Sequence, residues 1–296
     1  MTATDNIRRE ERTIRGAGGI ELFERCWLPD GPARATILLI HGFGEHTGRY
    51  DFAGEWLAAR GWAVRGFDLR GHGLSDGPRA TVPTYREYLD DLRACLPAVR
   101  AAAGGTPIYL LGHSMGGCVT ALWLAVDRPP VAGTMLSGAV LPRDGWRSPL
   151  FRFVKALGAR IPGLPLAALD AADVSRDSEI VRRYDADPLV YRGRLRAGHV
   201  AATLRSVERI ERDAARIDVP LLIMHGEQDA LASPEGSRWL YEHVSSTDRT
   251  LKIYDGLYHE ILNEPEREQV LADMDAWLNA RSLSRRAGSL GESAAI

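Results

Sequence analysis

The chain has 296 residues, 45% of them hydrophobic, which fits one large α/β domain or two smaller ones. Its formal net charge of -2 gives no indication of a nucleic acid or polyanionic partner, and residues 1–15 are polar and lack the apolar core of a signal peptide. No apolar run is long enough to span a bilayer, and the 3 cysteines are scattered singly, so neither a disulfide framework nor a metal cluster is expected in what we predict to be a cytoplasmic protein.

Short apolar runs alternate with helical patterns along most of the chain. This alternation is typical of an α/β protein whose mostly parallel central sheet is flanked by helices. The runs predicted as buried strands are residues 35–40, 107–111, 133–137, 221–226 and 250–254. We therefore predict a core formed by residues 1–140 and 214–283, followed by a disordered tail at 284–296, where the sequence is small, polar and aperiodic.

The first of these strands is followed by His41-Gly42-Phe43-Gly44. Glycines on both sides of Phe43 would let its backbone amide turn toward a site at the end of the strand. We predict that this amide forms half of an oxyanion hole. The plainer alternative is a tight turn without a catalytic role.

The most informative stretch is Gly112-His113-Ser114-Met115-Gly116, a G-x-S-x-G pattern. A buried strand precedes it and a helical pattern follows it, which is the context of a nucleophile elbow. Ser114 is therefore the predicted nucleophile. The amide of Met115, the residue after the nucleophile, is the predicted second half of the oxyanion hole.

Residues 141–213 interrupt the alternation, since no convincing strand lies between the runs at 133–137 and 221–226. We predict an inserted helical cap there, with a first helix starting at Ser148 and Pro149. Leu150 and Phe151 lie on the apolar side of that helix. This side could pack on the core, line an acyl tunnel, or enter a membrane interface with the cations of the other side toward anionic lipid.

The other two members of a catalytic triad follow later strands. In this class of sheet the chain order is serine, acid, histidine, with each at a strand end. Asp229 follows the strand at 221–226 and His259 follows the strand at 250–254. Glu227 is a rival acid, but it comes before the position that the loop should present, so Asp229 is preferred. The histidine would take the proton of Ser114 while the buried carboxylate orients the imidazole.

These motifs together resemble the monoacylglycerol lipase family of the α/β hydrolases, over about residues 12–283. The similarity is carried by residues 41–50 (HGFGEHTGRY), 68–75 (DLRGHGLS), 112–117 (GHSMGG), 175–177 (SRD), 184–189 (YDADPL), 258–260 (YHE) and 263–266 (NEPE). The resemblance implies an α/β-hydrolase fold with a helical cap. It also implies a serine hydrolase that cleaves a small lipid ester, a monoacylglycerol, to glycerol and a fatty acid without a cofactor or metal.

The resemblance further implies that Glu45, Arg49 and Tyr184 meet the polar alcohol end of the substrate, although a surface ion pair and a packed tyrosine would explain them equally well. It favours the cap helix as a tunnel mouth that transiently contacts the membrane surface. A lysophospholipase or general carboxylesterase would share every catalytic residue, and a ligand receptor could keep an idle triad. Ser114 argues against the relatives of this fold that use an aspartate nucleophile.

Overall fold

A twisted sheet with the strand order β1-β2-β4-β3-β5-β6-β7-β8 forms the centre of the molecule. The computed structural model describes the backbone of residues 7–292 and the side chains of residues 7–282. The strands are β1 Ile7–Arg15, β2 Glu21–Pro29, β3 Ala35–Ile40, β4 Trp62–Phe67, β5 Ile108–His113, β6 Gly133–Ser137, β7 Leu221–Gly226 and β8 Arg249–Tyr254. Strands β3 to β8 run parallel, while β1 and β2 form an antiparallel edge.

The inner strands are buried on both faces, which explains their almost continuous apolar sequence. Along β3, Ile37 and Leu39 contribute to one core cluster, while Leu38 and Ile40 contribute to the other. This two-sided burial requires helices on both faces of the sheet, so the predicted α/β architecture, a mostly parallel central sheet flanked by helices, is confirmed.

Helices cover both faces of the sheet. They are α1 Asp51–Ala58, α2 Arg86–Ala103, α3 Met115–Asp127, α4 Pro149–Arg160, α5 Ser178–Ala186, α6 Ala197–Asp213, α7 Pro234–His243 and α8 Arg267–Glu292. Side chains of α1 and α8 belong to one core cluster, and those of α2, α3 and α7 belong to the other. The loops at the carboxyl ends of the parallel strands are thus held between two packed layers.

Helices α4, α5 and α6 lie between β6 and β7, in the interval 141–213 that we call the cap. Helix α4 begins at Pro149, with Ser148 at the N-cap position, although the Ser148 side chain makes no capping hydrogen bond. The α4 backbone approaches α6 closely at Gly158, where an added Cβ would lie 2.2 Å from the Ala197 carbonyl oxygen. Lys155 of α4 also pairs with Glu208 of α6. Helix α4 is therefore fixed to α6.

The last helix extends further than the sequence indicates. Helix α8 continues to Glu292, so residues 284–292 are helical where we expected a disordered tail. The absence of apolar periodicity in that segment concealed the helix, which continues from the packed turns around Met274 and Leu278. Residues 293–296 lie outside the described part of the chain.

Candidate active site

Ser114 lies in a strained turn between β5 and α3. Its backbone has φ 52° and ψ -118°, a conformation that residues with a side chain rarely adopt. The flanking glycines leave room for this turn. An added Cβ would lie 2.1 Å from the Ile40 carbonyl oxygen at Gly116 and 2.4 Å from the Thr120 hydroxyl at Gly112. The G-x-S-x-G pattern is thus a steric requirement of presenting Ser114 at the end of the strand.

A chain of hydrogen bonds connects Ser114, His259 and Asp229. Ser114 Oγ lies 2.8 Å from His259 Nε2, and His259 Nδ1 lies 2.7 Å from Asp229 Oδ2. Since a carboxylate only accepts, Nδ1 carries the proton and Nε2 is free to accept from the serine hydroxyl. The rival acid, Glu227, is exposed. The geometry is that of a nucleophile, a base and an orienting carboxylate.

Asp229 accepts hydrogen bonds from several directions. Its Oδ1 accepts from the amides of Leu231 and Ala232, each at 2.8 Å. Its Oδ2 is also 3.0 Å from Nε2 of the fully buried His225. Burial alone would raise the pKa of Asp229, but the charge of His259 and the hydrogen bonds from both histidines lower it well below its ordinary value. Asp229 therefore stays ionised in the folded protein. Sequence reasoning missed His225.

The pKa of His259 moves in the opposite direction. Burial alone would lower it, but the charge of Asp229, the hydrogen bond to it, and the charges of Glu260 and Glu45 raise it above 6.5. The neighbouring carboxylates thus favour the protonated imidazolium, which is the form that arises when His259 takes a proton.

The two amides proposed for the oxyanion hole belong to chain segments that lie beside the nucleophile. Met115 is the first residue of α3, so its N–H has no partner within the helix. The amide of Phe43 donates no hydrogen bond to another described residue. The Phe43 loop also lies against the nucleophile, since an added Cβ at Gly42 would be 3.0 Å from Ser114 Cβ. Both amides are therefore available beside Ser114.

Buried polar contacts hold the Phe43 loop in place. Glu45 accepts hydrogen bonds from the Gly42 amide and, at 2.7 Å, from the Tyr50 hydroxyl. Asp68, the first residue of the 68–75 loop, accepts from the amide and the hydroxyl of Thr47. The 68–75 loop therefore supports the oxyanion segment from beneath.

A buried charge cluster lies beside the triad. Arg49 pairs with Glu260 and lies 3.6 Å from Glu45, and its guanidinium stacks over the Tyr184 ring at 4.6 Å. Burial and the charge of Glu260 raise the pKa of Glu45 to about 7, against the opposing effect of Arg49. Glu45, Arg49 and Tyr184, the residues expected at the alcohol end of the substrate, thus lie together, and the ion pair among them is buried and not on the surface. Glu260 was missed, although its position next to His259 was a signal for it.

We expect the pH dependence of catalysis to report this cluster. His259 must be neutral to accept the Ser114 proton, and its pKa is raised, so kcat/KM for a neutral soluble ester should fall on the acid side with an apparent pKa above 6.5. Glu260→Gln removes a charge that raises this pKa, so the acid limb should move to lower pH. The measurement is the pH profile of kcat/KM for wild type, Glu260→Gln and, as a control, the exposed Glu227→Gln. An unmoved limb in Glu260→Gln would contradict the electrostatic assignment.

A cavity of about 200 Å³ opens onto Ser114. Its catalytic end holds polar side chains, while the remainder is mainly apolar and is closed by the cap. The cap side chains that line it are Trp146, Phe151, Leu169, Val174, Tyr184, Leu195, His199, Val200, Thr203 and Leu204. An apolar cavity with a few convergent polar groups is typical of a small-molecule site.

The two residues of α4 that were expected to contact the substrate, Leu150 and Phe151, lie in different environments in the structure. Phe151 lines the cavity, but Leu150 does not, and its side chain is 65% exposed. Successive helical residues differ by about 100° in direction. Phe151 therefore points to the cavity, while Leu150 and Phe153, which is 63% exposed, share the outer side. The prediction that Leu150 lies in the substrate cavity is wrong, because an apolar side chain within a helical face can lie beyond the edge of the packed stripe.

Comparison with known proteins adds independent evidence. Residues 31–266 match the family described as "Serine aminopeptidase, S33". The chain is 39% identical to the monoacylglycerol lipase of Mycolicibacterium smegmatis, over 91% of this chain and 97% of that one. It is 34% identical to human monoglyceride lipase, over 90% and 89% of the two chains.

Solved structures agree with these sequence relatives. The crystal structure of Paleococcus ferrophilus monoacylglycerol lipase superposes with a TM-score of 0.77 at 31% identity, covering 88% of this chain and 99% of that one. A monoglyceride lipase from Saccharomyces cerevisiae, in complex with a substrate analog, has a TM-score of 0.82 at 23% identity, covering 94% and 96% of the two chains. At that identity the yeast structure supports the fold alone.

Proposed function

This chain belongs to the serine aminopeptidase S33 family and, within it, to the monoacylglycerol lipases, and we propose that it hydrolyses monoacylglycerols to glycerol and a free fatty acid. The observation that carries the proposal is the hydrogen-bonded chain of Ser114, His259 and Asp229 at the end of a mainly apolar cavity. A long acyl chain matches the apolar part of the cavity, and a neutral polyol matches its polar end.

The proposed mechanism is acyl transfer through Ser114. His259 Nε2 takes the proton of the serine hydroxyl as its oxygen attacks the ester carbonyl. The amides of Phe43 and Met115 stabilise the oxyanion of the tetrahedral intermediate. The imidazolium then protonates the departing glycerol oxygen. In the second half, His259 activates a water that attacks the acyl-enzyme and releases the acid, with Asp229 stabilising the imidazolium in both halves.

The glycerol moiety is proposed to meet Glu45, Arg49 and Tyr184. These groups offer carboxylate acceptors, guanidinium donors and a phenol beside His259, which can satisfy the hydroxyls of a desolvated polyol. Arg49 lies between Glu45 and Glu260, so the cluster has more negative than positive charge when both carboxylates are ionised. This balance supports a neutral alcohol over an anionic headgroup, although Phospholipase YtpA of Bacillus subtilis is also a relative, at 31% identity.

A hydrolysis panel tests the proposal. Monoacylglycerols, diacylglycerols, lysophospholipids, nitrophenyl esters of graded chain length and an aminoacyl anilide should be compared with the same enzyme. We expect the highest kcat/KM with monoacylglycerols. A preference for lysophospholipids would establish the lysophospholipase alternative, and a preference for the anilide would indicate a peptidase. No turnover of any compound would leave the receptor alternative.

The outer side of α4 supports a further element of the proposal, a transient contact of the cap with a membrane surface. Leu150 and Phe153 are exposed there, and Arg152 and Arg160 are exposed on the same helix. Such a combination favours an interface whose apolar layer takes the side chains while anionic headgroups pair with the cations. Among the described residues, no helix has the length and apolarity to cross a bilayer.

The opposite sides of α4 predict opposite phenotypes. Phe151→Ser should lower kcat/KM for long acyl chains much more than for short nitrophenyl esters, because each buried methylene contributes about 0.8 kcal/mol of transfer free energy. Leu150→Ser combined with Phe153→Ser should leave hydrolysis of a monomeric ester unchanged and weaken binding to anionic vesicles. Chain-length profiles, vesicle cosedimentation and melting temperatures should be measured on both variants.

Each variant serves as the control for the other. A flat chain-length profile in Phe151→Ser, with a lowered melting temperature, would show that Phe151 is a packing residue. Unchanged vesicle binding in the double variant would contradict the proposed membrane contact.

A further inference from the structure

The part of the cavity proposed to hold the acyl chain contains a cluster of three polar side chains that ester hydrolysis does not use. Three of the residues that line the cavity are Tyr85, at the N-cap of α2, and His199 and Thr203 on α6. Tyr85 and His199 are almost fully buried. The His199 ring packs on Phe43, with ring centroids 4.4 Å apart. An apolar acyl chain gains nothing from burying such groups, since polar groups lose their hydration in a cavity of this kind.

The protons of this group can be assigned from its contacts. Thr203 Oγ1 donates to the His199 carbonyl oxygen at 3.0 Å. Since the Thr203 hydroxyl proton is used in that bond, Tyr85 Oη donates to Thr203 Oγ1, at 2.7 Å. The remaining contact, 3.4 Å between His199 Nε2 and Tyr85 Oη, is made when Nε2 carries the ring proton. This arrangement keeps all three hydrogen bonds. It leaves His199 Nδ1 as a bare acceptor, because a neutral imidazole carries one proton.

His199 Nδ1 has no partner among the described side chains and backbone. Burial lowers the pKa of His199 to about 4, so the ring is neutral at neutral pH and this lone pair stays available. A second residue of the cavity lining is an unpaired donor, because the indole N–H of Trp146 has no acceptor within residues 7–282. Buried polar atoms without partners are rare in folded proteins and call for an explanation.

We propose that His199 Nδ1 and Trp146 Nε1 form a subsite for an oxygen substituent on the acyl chain, with a hydroxylated acyl ester as the preferred substrate. A hydroxyl group both donates and accepts, so it can donate to His199 Nδ1 and accept from Trp146. An unsubstituted chain leaves both groups unsatisfied in the complex, and sites with unpaired polar groups discriminate against substrates that lack the partner. The inference rests on the proposed function, since it concerns the acyl moiety of the same ester.

The test is a matched series of monoacylglycerols of one chain length. One member is unsubstituted, and the others carry a single hydroxyl near the carboxyl end, at mid-chain or at the terminal carbon. We expect wild type to prefer one hydroxylated isomer over the unsubstituted ester by about fivefold in kcat/KM, the size of one net hydrogen bond. In His199→Phe this preference, measured as the ratio of the two kcat/KM values, should disappear, because the phenyl ring has no nitrogen that can accept the hydroxyl proton.

Further variants keep the result independent of folding. Trp146→Phe should reduce the preference without affecting the imidazole, and His243→Phe, at an exposed histidine of α7, is the matched control. The inference is overturned if no hydroxylated isomer is preferred by wild type, or if the preference survives in His199→Phe. Failure of the underlying function looks different, because then no member of the series is hydrolysed, the unsubstituted ester included.

Discussion

Ser114→Ala is expected to lower kcat by about a million-fold, the effect typical of removing the nucleophile of such a triad. Ser114 is the hydroxyl within hydrogen-bond distance of His259 Nε2, so no other described side chain is placed to form the acyl intermediate. The measurements are kcat on a monoacylglycerol and labelling of the active serine with a fluorophosphonate. Alanine meets the same backbone strain as serine, so the melting temperature should stay close to that of wild type.

Peptide mapping of the labelled protein supplies the control for this experiment. The fluorophosphonate should modify Ser114 in wild type and nothing in Ser114→Ala. Label on another serine, or a variant that retains activity near that of wild type, would show that the nucleophile has been misassigned.

Asp229→Asn is expected to lower kcat by about ten-thousand-fold. The amide keeps an oxygen that can accept from Leu231 and Ala232, so the loop should be preserved. On the side that faces His259, however, the NH2 group of the asparagine can donate to Nδ1. This favours the imidazole tautomer with its proton on Nε2, and a protonated Nε2 cannot accept the proton of Ser114. Steady-state kinetics with circular dichroism as a folding control separates this effect from unfolding.

Glu227→Gln is the matched control, since it removes a carboxylate from the same loop. Its side chain is exposed, and the expected effect on kcat is small. A large loss in Glu227→Gln together with a small one in Asp229→Asn would reverse the assignment of the acid.

The sequence predicts the positions of strand ends well, because a strand buried on both faces must be apolar along its length. The apolar runs at 35–40 and 133–137 coincide with β3 and β6. The loops after such strands then bring Ser114, Asp229 and His259 to one edge of the sheet, although their catalytic role stays a prediction. Strand β1 was not predicted, since an edge strand that is mostly exposed carries charged residues with little apolar pattern.

Contacts between distant elements were beyond sequence reasoning. His199 meets Phe43 only because α6 packs over the oxyanion loop, and no local pattern reports that packing. The difference between Leu150 and Phe151 has the same origin. A helical wheel shows that α4 has an apolar side, but the position of α6 decides which edge of that side is covered.

The backbone of Ser114 links activity to the durability of the fold. A residue with a side chain held at φ 52° and ψ -118° costs about 1 to 3 kcal/mol relative to a relaxed conformation, which is a considerable part of the net stability of a typical protein. Glycine would adopt these angles with much less strain, so the most stable occupant of position 114 is one that cannot catalyse. Selection for thermal stability alone would therefore lead this chain away from its own nucleophile, and a stabilised variant should be screened for turnover at every round.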